Sequence, residues 1–126
     1  MNNEQNPKLK WTGRVISGLI SALLTMSGVF KCLKGEDVVK GFEHLQIPAH
    51  LMCTIGVLEI ACVVVYVIPQ TAILGAILLT GYMGGAILTH LRMGEPVYQQ
   101  AIFGVVVWLG IYLREPRLRA LLPLRK

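Results

Sequence analysis

Glu59 stands alone as a charge inside an apolar run covering residues 51–68. At 1.5 Å per residue, the eight residues before it carry the side chain about 12 Å inward along a helix. That is near the middle of a hydrocarbon layer about 30 Å thick. A carboxyl there costs at least about 2.5–3.5 kcal/mol to insert, so such residues mark functional sites by default. The plain alternative is an interhelical hydrogen bond that holds a bundle together.

Helical spacing supplies candidate partners. Ser17, Ser21, Thr25, Gly28 and Lys31 follow in steps of four, four, three and three, a small polar stripe ending in a cation. In the third apolar run Thr80 and Tyr82 reach the depth of Glu59, with Thr89 beyond them and His90 and Arg92 at the outer end. Lys31, Glu59, Thr80, Tyr82, His90 and Arg92 form the candidate pocket. A carboxyl under hydroxyls, with Lys, His and Arg above, suits an anion, a quinone headgroup or protons arriving from outside. Each member also has a bland role: Lys31 can snorkel, His90 can sit satisfied at the interface, and Tyr82 can pack and donate one hydrogen bond. Because Lys31 and His90 lie above Glu59, the carboxyl is expected to lack a cation at its own depth. It would then donate a hydrogen bond to a first-run hydroxyl or a ligand oxygen.

The elements that must hold these groups follow from composition. The chain has 126 residues, 54% hydrophobic and 15% charged, with a mean hydropathy of +0.60. Soluble domains carry about 25% charged residues, so a cytosolic enzyme is strongly disfavoured and disorder is excluded. Four apolar runs, at about 14–31, 51–68, 71–91 and 97–113, approach the ~20 residues needed to span a bilayer. Lipid-exposed strand edges cannot be satisfied and no alternating ten-residue pattern recurs. The expected fold is therefore all-α: one transmembrane domain over 1–126, an integral membrane four-helix bundle. The first run is too long for a signal-peptide core and lacks a small-residue cleavage site, so it reads as a retained helix. Pro69-Gln70 makes a tight hairpin between the second and third runs.

Residues 32–50 form the outer loop. Glu36 and Asp37 suit the first turn of a short helix, on which Val39, Phe42 and Leu45 share a face until Ile47-Pro48 ends it. An interfacial amphipathic helix and an ordinary ordered loop both fit. Residues 114–126 form a basic tail. The net charge of +5 does not point to nucleic acid, because the cations cluster at the ends of the apolar runs. With four spans both termini share one side, and that side holds Lys8, Lys10, Arg14, Arg114, Arg117, Arg119, Arg125 and Lys126 against Lys31, Lys34, Lys40 and Arg92 opposite. The positive-inside rule puts both termini in the cytoplasm of a bacterial inner membrane.

Gly75, Gly81, Gly84 and Gly85 in the third run are spaced to let helix backbones approach, which predicts a central packing helix. Cys32 and Cys53 lie near the outer end, where an oxidising periplasm could pair them, and Cys62 lies too deep to join; without a CxxC motif, small apolar packing is the expected role. The sequence has no P-loop, GxSxG, HExxH or CxxCH, so no metal site or intrinsic cofactor is expected, and these motifs assign no catalytic residue, which leaves open whether the chain is an enzyme.

The ordered motifs resemble the DoxX-like family of small four-helix membrane proteins. They are Ser27-Gly28-Val29-Phe30-Lys31, Gly41-Phe42-Glu43-His44-Leu45 with Ile47-Pro48, and Gly56-Val57-Leu58-Glu59. They continue with Gly75 through Tyr82, Gly84-Gly85-Ala86 to Arg92, and Tyr112-Leu113-Arg114 before Pro116-Arg117-Leu118-Arg119. The family takes its name from a small membrane subunit of a thiosulfate:quinone oxidoreductase. Other members are linked to oxidative-stress complexes, and distant relatives include a receptor-assembly chaperone. The resemblance implies a multi-pass protein in the lipid bilayer, acting as an accessory subunit of a redox-associated complex with quinone as a possible ligand. It carries over Lys31, Glu59, Tyr82, His90 and Arg92 as pattern positions without roles. Electrons would come from a partner subunit, since the chain has no carrier motif of its own. A non-enzymatic assembly or stabilising factor for a membrane complex and a small transporter are the alternatives, and the protein partner is another subunit or further copies of this chain as a homo-oligomer.

Overall fold

The computed structural model of the protein describes residues 6–125. Among these residues every regular element is helical: α1 (Pro7–Leu33), α2 (Glu36–His44), α3 (Met52–Val67), α4 (Ala72–Arg92), α5 (Tyr98–Arg114) and α6 (Pro116–Arg119), with short 3-10 turns at Ala49–Leu51 and Pro69–Thr71. The helices α3, α4 and α5 sit within one residue of the last three apolar runs. The first helix starts seven residues before its run, because Pro7 occupies the first turn and the Asn6 side chain accepts from the Lys8 N–H at 2.8 Å. It ends at Lys34, whose left-handed backbone (φ 55°) directs its N–H to the Phe30 carbonyl.

Four long helices close a ring in the order α1, α3, α4, α5: α1 packs on α3 and α5, and α4 packs on the same two. The Pro69–Thr71 turn joins α3 to α4, and the Thr71 hydroxyl donates to Val65 O at 2.8 Å. The expected glycine seam lies elsewhere. Gly81, Gly84 and Gly85 have open space where a Cβ would stand, while Gly28 on α1 meets Gly56 on α3 so closely that a Cβ on Gly56 would lie 2.5 Å from Gly28 O. Of the α4 glycines, Gly75 alone presses on a neighbouring helix, against the Tyr66 backbone. With contacts to both neighbours, α1 is as central as α4.

The core fills the half of the bundle nearest the termini, around Leu24, Tyr66, Ala76, Leu79, Val107 and Ile111. Tyr66 is fully buried and ties three helices: its hydroxyl donates to Val107 O on α5 at 2.6 Å and lies 2.9 Å from Ser17 Oγ on α1. The outside is apolar along Leu19, Val57, Ile77, Leu88 and Val105, as a lipid-facing surface requires. Residues 36–44 do fold as a short amphipathic helix, α2, with Phe42 buried beneath it and Leu45 buried just after its end. The start of the basic tail folds back as α6, where Arg119 caps α5 by donating to Tyr112 O and Leu113 O at 2.9 and 3.0 Å.

Candidate functional site

The half of the bundle away from the termini encloses a cavity of about 960 Å³. All four long helices line it, and Phe42, Leu45 and Ile47 roof it. Its walls are mainly apolar, with one polar cluster built from three helices. Ser27 and Lys31 stand one turn apart on α1, Glu59 comes from α3, and Tyr82 from α4. The Lys31 ammonium donates to Glu59 Oε1 at 2.6 Å, Ser27 Oγ at 2.8 Å and Tyr82 Oη at 3.0 Å. Glu59 Oε1 also accepts from Tyr82 Oη at 3.0 Å and from Ser27 Oγ at 3.4 Å. The Glu59 side chain is 2% exposed and that of Lys31 16%.

This corrects one expectation. Lys31 does not snorkel outward; its stem bends inward, so Glu59 has a cation in direct contact. An ion pair in so dry a place persists because each N–H of the ammonium has an acceptor. The α1–α3 closeness at Gly28 and Gly56 brings the two charges together: the position for a Cβ on Gly56 lies 3.0 Å from the Lys31 Cβ.

The other residues of the candidate pocket divide. His90 lines the cavity at the end away from the chain termini, where its Nδ1 lies 2.9 Å from Glu95 Oε2. The other Glu95 oxygen pairs with His44 Nε2 on α2, and Arg92 donates to Leu45 O. Arg92 thus lies outside the cavity lining and pins the roof. The hydrogen bond from His90, aided by the charges of His44 and His90, holds the Glu95 carboxyl below its ordinary range against some desolvation. Thr80 faces away. Its hydroxyl donates to Ala76 O at 2.7 Å and accepts from Trp108 Nε1 at 2.6 Å, in a separate apolar groove of about 520 Å³ between α4 and α5. Cys32, Cys53 and Cys62 are free thiols; Cys32 Sγ lies 3.5 Å from Cys53 O. Among the described residues no group of three or more His, Cys, Asp or Glu side chains is placed to hold a metal ion.

Two contributors escape reading from residue type alone. Ser27 sits off the Ser17–Lys31 stripe, and its one signal is the four-residue step to Lys31. Glu95 falls in a loop, where only two histidines elsewhere in the sequence hint at its role.

A sequence model of the DoxX-like family matches residues 15–113. The chain belongs to the DoxX-like family. The matched stretch contains every residue of the Ser27–Lys31–Glu59–Tyr82 cluster and of the His44–Glu95–His90 bridge. No curated protein and no solved structure matches this DoxX-like chain. Membrane residence follows from the family together with Pro7–Leu33, Ala49–Val67 and Pro69–Arg92, three segments long and apolar enough to cross a bilayer.

Proposed function

We propose that this DoxX-like protein binds a membrane-soluble molecule in the cavity beside Lys31 and Glu59, as an accessory subunit of a quinone-linked redox complex. The observation that carries the reading is a buried ion pair, its ammonium fully engaged, set in the wall of a mainly apolar cavity. A packing role alone needs no such space, and a roomy apolar site with a few convergent polar groups is the usual form of a small-molecule site. Leu58 on α3 and Leu78 on α4 line the cavity and are exposed, so the cavity is not sealed between these helices. A ligand can therefore enter sideways from lipid. The quinone link draws on the origin of the family.

The same proposal takes α5 as a fourth span. Its 17 residues make about 26 Å of helix at 1.5 Å per residue, and it completes the ring beside α1 and α4. Both termini then face the cytoplasm of a bacterial inner membrane, with the cavity mouth outside. Solvent extraction of the purified protein followed by mass spectrometry tests the ligand: a stoichiometric quinone or quinol is expected, and failure to carry or take up either one refutes the quinone link. Single cysteines at Gln5 and Glu43, in a background without native cysteines, test the orientation. An impermeant reagent should label Glu43→Cys in intact cells and reach Gln5→Cys only after lysis; the opposite pattern inverts the topology.

A further inference from the structure

The hydrogens of the polar cluster can be counted. Lys31 brings three, and the Ser27 and Tyr82 hydroxyls bring one each. All are engaged within the cluster: three from Lys31, one from Tyr82 to Glu59 and one from Ser27 to Glu59. Moving the shared proton from Nζ to Oε1 leaves the count unchanged. What the cluster retains is acceptor capacity. Every hydrogen bond to Glu59 falls on Oε1, and Oε2 accepts none from the described residues, although the side chain is 98% buried and lines the cavity. Opposite, on α5, Gln100 also lines the cavity, and its buried Oε1 has no partner among the described residues. The hydroxyl of Thr89, a further lining residue, is engaged with Gly85 O at 2.8 Å.

A carboxylate oxygen that faces an apolar cavity without a donor is costly, and an anion brought to the cluster would meet more acceptors and no free hydrogen there. We infer that the cavity takes its ligand as a hydrogen-bond donor, a lipid-soluble molecule bearing a hydroxyl such as a hydroquinone, bound through Glu59 Oε2. This rests on the reading of the cavity as a ligand site and gives the ligand its chemical class. It also revises the anion suggested by the sequence, because the cations above Glu59 are already occupied.

The test uses the full-length protein in phosphatidylcholine nanodiscs under anaerobic conditions. Binding is measured by titration calorimetry, corrected for partition into empty nanodiscs, with decylbenzohydroquinone, decylbenzoquinone and decyl sulfate. A hydrogen bond to a charged group is worth about tenfold or more in affinity, so the hydroquinone should bind at least about tenfold tighter than either other probe. Glu59→Gln, which turns an amide toward the ligand, should remove that preference. Tyr82→Phe releases one Lys31 hydrogen and should raise affinity for the quinone; it carries the test should Glu59→Gln fail to fold. Quinone or sulfate binding as tightly as hydroquinone overturns the donor rule and leaves the ligand cavity standing. Unchanged quinone affinity in Tyr82→Phe likewise overturns it, and binding of none of the three probes overturns both.

Discussion

Removing one charge from the Lys31–Glu59 pair should have unequal effects depending on which is removed. Truncating one member of a buried pair costs about 3–5 kcal/mol, because the other is left uncompensated. In Lys31→Met the stranded group is Glu59, with a side chain 2% exposed and held in place by its neighbours. Two donors remain to it, Tyr82 at 3.0 Å and Ser27 at 3.4 Å; the first is a sound hydrogen bond and the second a weak one. The expected loss is therefore toward the lower end, about 3 kcal/mol. In Glu59→Leu the stranded group is Lys31, already 16% exposed, on a flexible stem that can swing outward. That loss should be smaller, about 1–2 kcal/mol, the cost of an unmade hydrogen-bond set. The double variant Lys31→Met/Glu59→Leu removes both charges and should recover most of the stability, since apolar replacement of a buried pair is often neutral or better. Reversible unfolding in mixed micelles, followed by circular dichroism, measures all three. A Glu59→Leu loss larger than that of Lys31→Met, or a double variant as unstable as the sum of the singles, refutes the reasoning.

Tyr66→Phe, which deletes the hydroxyl between Ser17 and Val107, should lower stability by about 1–3 kcal/mol. Ser17→Ala in that background should add little, and full additivity in the same unfolding assay contradicts a shared hydrogen bond. Gly56→Ala drives a methyl into the Gly28 carbonyl and should destabilise by about 1–3 kcal/mol, while Gly81→Ala meets open space and should be neutral or slightly stabilising; thermal melts in detergent that rank them the other way reject the observed seam. Glu95 has a folded-state value below the ordinary 4.5, so its contribution is complete above that pH and fades as the pH falls through the lower folded value. Hydrogen exchange of the α2 amides should accelerate in that acid range for the wild type but not for Glu95→Gln, and an identical acid response in both would dismiss the bridge as a latch on the roof.

The start of α1 at Pro7, ahead of its apolar run, was not legible; the apolar stretches of the helices were, because length and continuous hydropathy suffice for a membrane span and Pro69 separates two of them. Their meeting faces were less so. In lipid every side of a helix is apolar, so Gly81, Gly84 and Gly85 look like a seam although they border space, whereas the tight crossing needs one glycine from each of two helices. Gly28 and Gly56 form no motif within either helix and become a pair only in three dimensions. In the candidate pocket, types and depths single out Glu59 and Tyr82. The direction taken by Lys31 depends on a four-carbon stem whose rotamers sequence does not choose. Thr80 shares the depth of Tyr82 but sits two residues away, about 200° around the helix, which turns it to the opposite groove.

The bond from Trp108 to Thr80 gives the molecule an optical gauge. In the proposed four-span arrangement it crosses from α5 to α4 within the bilayer, where no solvent donor would replace it when the helices part. Indole emission depends on whether that N–H is held, and Trp11, the other tryptophan, lies at the far end of α1. With Trp11→Phe as background, a single native fluorophore reports the spacing of α4 and α5. Any molecule entering between the helices registers as a change of colour, with no label attached.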